Sequence, residues 1–180
     1  MRLQSRWLQT RLPQTLTAVL CGAALSVCGL LLQNIFRNPL ADPSVFGISS
    51  GAALGVAVVM LLMGGSSAVV GLAGMGAVVA GAFVGAMAVT LVVFGCALVV
   101  RSRVALLIIG LMIGYLASSA ITLLNYFATE DGVKSFLVWG MGSFVSVSPT
   151  QLPWLAVAVL VPLLLALTLV KRLDIMLLGD

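Results

Sequence analysis

The chain has 180 residues, of which 62% are hydrophobic and 8% are charged, and it carries a formal net charge of +4. A soluble domain has roughly 25% charged residues, so this composition excludes a water-soluble globular protein and predicts an integral membrane protein. No charged residue occurs between Pro43 and Val100, a run far longer than the ~20 residues that one spanning helix needs. The positive charges are not interleaved with aromatic residues, so we expect no nucleic-acid binding.

The hydropathy of the chain predicts five membrane-spanning helices. Helices are favoured because lipid leaves open backbone groups unsatisfied, and no alternating strand pattern indicates a β-barrel. Residues 66–74 are compatible with a short extra helix, and residues 133–148, which include Trp139, predict a short interfacial helix and turn. The predicted fold class is therefore all-α, a polytopic membrane bundle with approximate spans at residues 14–36, 44–63, 74–100, 103–127 and 152–170.

The stretch between the first two spans contains two pairs of helix-start residues. Asn38–Pro39 and Asp42–Pro43 each join a good N-cap to a proline suited to the first helical position. The segment is therefore predicted to end one helix, turn tightly and start the next helix at about Ser44.

Glycines recur four residues apart on three of the predicted spans, a spacing that places them on one face of a helix. In lipid, small residues let helix backbones approach closely, and this packing replaces the hydrophobic effect as the cohesive force. The spacing therefore predicts a tightly packed bundle through Gly47, Gly51 and Gly55, Gly81 and Gly85, and Gly110 and Gly114.

Groups that could carry catalysis or bind a metal are scarce. The chain has no histidine and no phosphate-cradling GxxxxGK[ST] motif, and its three cysteines lie singly in apolar segments. Its five carboxylates all lie away from the middle of the predicted spans, whereas an ion-coupled carrier typically buries one near the membrane centre. We therefore predict a protein that is not an enzyme, that holds no metal or cofactor, and whose energy source lies on another chain.

The fourth predicted span carries a stripe of small and polar residues. Gly114, Ser118, Thr122 and Asn125 are spaced four, four and three residues apart, so they fall along one face of the helix. Positions that face lipid need no such stripe. Two interpretations stay open: hydrogen bonding between helices, worth ~1 kcal/mol per contact, or lining of a water-filled path.

The sequence RNPLADP at residues 37–43, followed by SVFGISSGA at residues 44–52, resembles the signature of FecCD-like permeases. These are membrane subunits of bacterial ABC importers for iron-siderophores, haem and cobalamin. The resemblance covers nearly the whole chain but only about half of a typical member, which has about ten spans. It implies a partial ten-helix permease fold over residues 1–180, without the family's first span and C-terminal half.

The resemblance also implies roles for individual residues. Asn38 and Leu40 match a loop that narrows the cytoplasmic end of the pathway, although Asn38 as a helix cap and Leu40 as a packing residue is the structural alternative. Ser102 and Arg103 are similar to a second constriction. Arg11 matches an arginine that faces the periplasm and pairs with the substrate-binding protein, the alternative being an interfacial anchor. The polar stripe on the fourth span matches the helix that borders the central pathway.

The function that these observations imply is a multi-pass permease in the bacterial inner membrane, moving an iron chelate (siderophore or haem) from periplasm to cytoplasm. Its expected partners are an ATP-binding cassette ATPase, a periplasmic substrate-binding protein, the lipid bilayer, and a second permease copy or complementary permease half. The alternatives are an inactive truncated fragment or a membrane scaffold without a transport path. A cobalamin importer and a secondary carrier are less favoured. The spans do not fix orientation, since basic residues divide four against five between the two sides.

Overall fold

The structure is a computed structural model that describes residues 2–39, 41–62, 72–144, 147 and 149–178, with side chains over 11–39, 41–61, 74–144, 147 and 149–168. Every regular element in these ranges is a helix, as the predicted fold class requires. By its internal contacts the chain forms two compact units, Met1–Ala41 with Ser143–Asp180, and Asp42–Gly142. The helices are α1 (Arg2–Phe36), α2 (Ile48–Leu62), α3 (Leu72–Val99), α4 (Arg103–Phe127), α5 (Glu130–Gly140) and α6 (Leu152–Leu178).

The first unit is built from α1 and α6, which pack against each other. Both helices extend beyond the predicted spans: α1 begins at Arg2, and α6 continues past residue 170 to Leu178. Each contains a proline, Pro13 in α1 and Pro162 in α6. A proline inside a helix removes one backbone hydrogen bond without necessarily ending the helix, which is why the predicted start at residue 14, directly after Pro13, underestimates the length of α1.

The C-terminus of α1 is closed by a Schellman motif. The Asn38 N–H donates to the Gln33 carbonyl at 3.1 Å, and the Arg37 N–H donates to the Asn34 carbonyl at 3.2 Å. Arg37 supplies the left-handed residue of this motif, with φ of 46°. Asn38 therefore belongs to the C-terminal cap of α1, so the segment ends one helix as predicted, and the pair Asn38–Pro39 does not itself begin the next one.

The start of α2 also differs from the prediction. Residues 43–47 form consecutive turns, and the helix begins at Ile48 instead of Ser44. The reason is Gly47, whose φ of +71° is incompatible with a right-handed helix. The first helical hydrogen bond follows immediately, from the Gly51 N–H to the Gly47 carbonyl at 2.8 Å.

The second unit is organised around α2, which packs against α3, α4 and α5. Its buried core consists of Val56, Met60 and Val78, with Phe136 of α5 packed against it. Burial of Met60 fits a packing role for this side chain. The short helix expected within residues 133–148 is α5, which begins three residues earlier than that range, at Glu130.

Close backbone contact between glycines joins α2 to α3. A β-carbon built on Gly51 would lie 2.7 Å from the Gly85 carbonyl oxygen, and one on Gly81 would lie 2.9 Å from the Gly55 carbonyl oxygen. Real β-carbons essentially never approach so closely, so the two helices meet at a distance that only glycine allows. The predicted tight packing through these four glycines is confirmed.

Three helices in the described part of the chain are long and apolar enough to cross a membrane, over Arg11–Phe36, Gly74–Val99 and Arg103–Phe127. Two further apolar stretches, Ile48–Leu61 and Leu152–Thr168, are shorter and correspond to the second and fifth predicted spans. Large apolar side chains are exposed along these helices, as lipid-facing surfaces require. The extra helix considered for residues 66–74 falls mainly on residues 63–71, which lie outside the described residues.

Candidate functional site

The helix that carries the predicted polar stripe, α4, begins at a capped N-terminus. The Ser102 hydroxyl accepts a hydrogen bond from the Ala105 N–H at 3.3 Å and occupies the N-cap position. Arg103 is the first helical residue, and its side chain is exposed. Ser102 therefore has a structural role in addition to the constriction role that the resemblance implies.

The N-terminal half of α4 contacts the turn before α2. A β-carbon added to Gly47 would lie 2.7 Å from the Gly110 carbonyl oxygen and 2.9 Å from the Gly114 nitrogen. Gly110 and Gly114 are both buried here. This third close approach agrees with the tight packing that the glycine spacing predicted, and it brings the turn against the face of α4 that carries Ser118.

A small, partly polar cavity of about 170 Å³ lies beside this contact. Three hydroxyl-bearing residues and a phenol contribute to its lining: Ser44, Ser50, Ser118 and Tyr115. A cavity of this size has room for several water molecules, each of which occupies roughly 30 Å³ in the liquid. Ser118 and Gly114 thus line a partly polar space formed by protein.

The C-terminal end of the stripe lines a different space. Asn125 lines a groove of about 450 Å³ between the end of α4 and the short helix α5. Glu130 and Lys134 also line this groove. The Asn125 Oδ1 atom is buried and has no hydrogen-bond partner among the described residues. We call this space the outer groove and the hydroxyl-lined space the serine cavity.

Thr122 lies between the two spaces and lines neither of them. Its hydroxyl donates to the Ser118 carbonyl of its own helix at 3.0 Å. The four residues of the stripe therefore share one face of α4 but not one site. Gly114 and Ser118 line the serine cavity, Asn125 lines the outer groove, and Thr122 is exposed between them.

Asp42 organises the turn that forms one wall of the serine cavity. Its Oδ1 atom accepts a hydrogen bond from the Ser44 N–H at 2.7 Å and a second one from the Ser44 hydroxyl. These two bonds, led by the one from the hydroxyl, hold the pKa of the Asp42 carboxyl below its ordinary value of 3.8. The carboxylate is thus ionised at neutral pH and fixes the conformation of the turn.

The remaining predicted site residues lie in the first unit. Arg11 is exposed on α1, and Asn38 is half-buried after the end of that helix, where its carbonyl accepts from the Ala41 N–H at 3.1 Å. Leu40 lies outside the described residues. The docking and constriction roles of these residues stay predictions.

Several residues that line the two spaces were not singled out from the sequence. Ser50 was missed because its position between two packing glycines suggested only close contact, and Tyr115 because one aromatic residue in a spanning helix carries no specific signal. Glu130 and Lys134 could have been found, since an acidic and a basic residue one helical turn apart directly follow the end of a span. Over the described residues there is no cluster of three or more potential metal-ligating side chains.

Comparison with known proteins gives concordant results. A sequence profile of the FecCD transport family matches residues 2–180. The hemin transport system permease protein HmuU of Yersinia pestis is 34% identical over 175 residues, covering 97% of this chain and 52% of that protein. The vitamin B12 import system permease protein BtuC of Escherichia coli O6:H1 is 37% identical over 159 residues, covering 87% of this chain and 46% of that protein.

A solved structure gives the same result. It is described as an inward-facing conformation of a metal-chelate type ABC transporter and superimposes with a TM-score of 0.85 at 30% identity, covering 99% of this chain and 55% of that one. The chain thus spans about half the length of the relatives that it matches. With its apolar helices, it is a multi-pass protein of the bacterial inner membrane. The profile match over nearly every residue leads to one conclusion: the chain belongs to the FecCD transport family.

Proposed function

We propose that the chain is part of the transmembrane permease of an ATP-driven importer that moves an iron chelate, a siderophore or haem, from the periplasm to the cytoplasm. The observation that carries this proposal is the family match over residues 2–180, in a chain whose α4 presents polar groups to protein-formed spaces. The sequence contains no phosphate-cradling loop, so ATP hydrolysis falls to a separate ATPase subunit.

In this proposal the polar face of α4 borders the transport pathway. Gly114 and Ser118 contribute through the serine cavity, Thr122 through its exposed hydroxyl, and Asn125 through the outer groove. The support is that Ser118 and Asn125 face spaces large enough for water, although α4 is apolar enough to lie entirely in lipid. Pure interhelical hydrogen bonding would instead join these side chains to partners on neighbouring helices.

Two further groups of residues are proposed at the ends of the pathway. Asn38 and Leu40 narrow the cytoplasmic end of the pathway, Ser102 and Arg103 form a second constriction, and Arg11 pairs with a carboxylate of the periplasmic substrate-binding protein. The support for the two constrictions is that Asn38 and Ser102 each lie at a helix terminus, where the backbone is fixed by capping bonds. For Arg11 the support is its exposed position on α1.

The proposed partners are an ATPase subunit, the binding protein, and the second permease copy or complementary permease segment that completes the pathway. Cobalamin is a second candidate cargo, because the matched relatives include vitamin B12 permeases at 37% identity as well as a hemin permease at 34%.

The proposal is tested by purifying a tagged version of the chain from its native membranes and identifying bound proteins by mass. Recovery of an ATPase subunit, with ATP hydrolysis stimulated by a cargo-loaded binding protein, is the expected result. A chain recovered alone or in degraded form indicates an inactive fragment, and a complex without stimulated hydrolysis indicates a scaffold. Uptake that stops when the proton gradient is dissipated at constant ATP indicates a secondary carrier. Uptake of labelled siderophore, haem and cobalamin then identifies the cargo.

A further inference from the structure

The turn before α2 touches α4 at one tight contact. A β-carbon added to Gly110 would lie 2.8 Å from the Phe46 α-carbon, and one added to Gly47 would lie 2.7 Å from the Gly110 carbonyl oxygen and 2.9 Å from the Gly114 nitrogen. Phe46 and Gly47 are both buried at this contact, which we call the pivot. Helix crossing angles are normally fixed by side-chain ridges that fit into grooves. Glycines carry no such ridges, so the angle between α4 and the turn is only weakly fixed here.

The two sides of the interface separate beyond the pivot. A β-carbon added to Gly114 would lie 3.5 Å from the Ser50 Oγ atom, which is ordinary van der Waals contact. One turn further along α4, Ser118 lines the serine cavity, with Ser50 of α2 also in its lining. The space between α4 and α2 therefore widens from Gly110 to Ser118.

The contact between α2 and α3 is of a different kind. Its two glycine pairs lie one turn apart in α2, so the helices touch closely at two levels. A valine side chain is also seated over a glycine at each level, Val89 of α3 over Gly51 and Val59 of α2 over Gly81. Two close contacts with interlocked side chains fix both the distance and the angle, so α2 and α3 form one rigid pair.

The far end of α4 is joined to α5 by a short non-helical link. Ala128 and Thr129 both have extended backbone angles, with φ and ψ of −81° and 163° and of −71° and 152°. α5 itself is held on α2, because Phe136 packs against the core that includes Val56 and Met60. The link interrupts the helical hydrogen bonds, so the end of α4 can change its angle while α5 stays in place.

A tilt of α4 about the pivot has opposite effects at its two ends. At ~1.5 Å per residue, Ser118 lies about 12 Å beyond Gly110, Phe127 about 25 Å beyond it, and Arg103 about 10 Å before it. A tilt that closes the serine cavity by one water diameter, ~3 Å, moves Phe127 by about 6 Å the same way and Arg103 by about 3 Å the opposite way. In the proposed function, on which this inference rests, Arg103 belongs to a constriction, so the two ends of α4 border opposite ends of the pathway.

We propose that α4 rocks about the pivot against the rigid α2–α3 pair, and that the serine cavity is the space into which it rocks. In the arrangement described here the Ser50 and Ser118 hydroxyls line a cavity with room for water. In the second arrangement the cavity is closed and the two hydroxyls bond to each other. Exchanging bonds to water for a bond within the protein changes the free energy little. A modest preference of the ATPase subunit for one arrangement therefore shifts the population.

The first test is Gly114→Ala in the complete importer, with its ATPase and binding protein, in proteoliposomes. The new methyl group fits the present arrangement, since its contacts are at 3.5 Å, but it occupies space that must close when α4 tilts towards Ser50. Alanine is also a better helix former than glycine. We therefore expect the unfolding temperature to rise by about 2 °C while ATP-dependent uptake falls at least fivefold. Gly95→Ala is the control, because its β-carbon meets nothing within 4 Å, and it should raise stability without loss of uptake.

The second test measures the motion directly by pulsed EPR on the same complex. The three native cysteines are replaced by serine, the labelled chain is diluted into unlabelled chain, and spin labels are placed on exposed positions. One pair joins Val58 of α2 to Phe127 of α4, and the control pair joins Val58 to Val84 of α3. Between the nucleotide-free and the vanadate-trapped states, we expect the first distance to change by about 6 Å and the control distance by less than about 1 Å. Gly114→Ala should abolish the first change, an effect that mere lining of the pathway by Gly114 does not produce.

Each contrary result has its own meaning. The rocking motion is refuted if the native complex transports while the Val58–Phe127 distance stays constant, or if the Val58–Val84 distance changes equally. Uptake by Gly114→Ala equal to that by Gly95→Ala refutes the role of the serine cavity, and a lower unfolding temperature of Gly114→Ala refutes the open contact on which that role depends. The distance measurement in the native background decides the question even if Gly114→Ala fails to assemble. A native complex without ATP-dependent uptake of a ferric trihydroxamate, haem or cobalamin contradicts the proposed function itself.

Discussion

Gly81 of α3 and Gly55 of α2 meet backbone to backbone: a β-carbon added to Gly81 would lie 2.9 Å from the Gly55 carbonyl oxygen. The neighbouring pair, Gly51 and Gly85, makes the same kind of approach one turn away. Because apolar side chains gain little from leaving lipid, close packing of this kind is the main force that holds membrane helices together. The two glycine pairs therefore determine how tightly α2 and α3 associate.

Replacing Gly85 by Ala is expected to destabilise the protein. The new β-carbon would lie 2.9 Å from the Gly51 carbonyl carbon, so the helices must separate, at a cost of about 1–3 kcal/mol for overpacking. Gly95→Ala on the same helix is the control, since a β-carbon there meets nothing within 4 Å. Thermal unfolding in detergent measures both variants. Equal losses for Gly85→Ala and Gly95→Ala would show that helix contact is not the cause.

A comparison of Gly47→Ala with Gly142→Ala separates backbone strain from steric overlap. Both glycines have positive φ, +71° and +70°, so alanine is strained at either position by about 1 kcal/mol. Only at Gly47 does the added β-carbon also meet backbone, at 2.7 Å from the Gly110 carbonyl oxygen. We expect Gly47→Ala to lower the unfolding temperature clearly more than Gly142→Ala. Similar losses would mean that strain alone accounts for the effect.

Arg37→Gly is expected to stabilise the end of α1. Arg37 adopts φ of 46°, a conformation that costs a residue with a β-carbon about 1 kcal/mol relative to glycine. Arg37→Ala is the control, because it removes the same charge without relieving the strain. The difference in stability between the two variants isolates the backbone effect. A glycine variant no more stable than the alanine variant contradicts the Schellman assignment.

The turn before α2 should weaken at low pH. The pKa of Asp42 is lowered in the folded protein, so its stabilising contribution is complete above the ordinary value of 3.8 and is lost as the pH falls through the lower folded value. Asp42→Ala should therefore be less stable than the native protein at pH 7, with a difference that shrinks at acid pH. Ser44→Ala removes the larger cause of the shift, so it should move the loss to higher pH. A pH-independent difference refutes this account.

A bulky residue at Ser118 should obstruct transport if the serine cavity belongs to the pathway. Ser118→Leu fills part of a space of about 170 Å³, and we expect uptake by the complete importer to fall at least tenfold while complex assembly is retained. Ser119→Leu is the matched control, because Ser119 is exposed on another side of α4 and does not line the cavity. If Ser118→Leu impairs assembly and not uptake, the scaffold interpretation is favoured.

Much of the fold could be predicted because lipid permits few solutions. The bounds of α4 match the predicted fourth span, since an apolar run between Arg103 and Phe127 can satisfy its backbone only as a helix. The start of α2 was placed too early because Asp42 and Pro43 fulfil the local rules for a helix start. Those local rules do not predict the positive φ of Gly47. This conformation occurs where Gly47 closely approaches Gly110 and Gly114, two residues distant in sequence.

The candidate site was only partly predictable. The spacing of Gly114, Ser118, Thr122 and Asn125 correctly puts them on one face of α4, because the period of a helix is fixed by its hydrogen bonds. The spacing cannot tell which other element covers each part of that face. Ser50 of α2 lines the serine cavity together with Ser118, and Lys134 of α5 lines the outer groove together with Asn125.

The sequence by itself determined the class of the protein, its helical elements and its glycine contact faces, because composition and periodicity act locally along the chain. Only the tertiary structure decided which glycine meets which, and that one polar stripe serves two separate spaces. These features depend on how α2, α4 and α5 pack, a matter of contacts between residues distant in sequence. Only the structure shows that the buried Asn125 oxygen lacks a partner within the described part of the chain, since whether a buried group has a partner is a property of its surroundings.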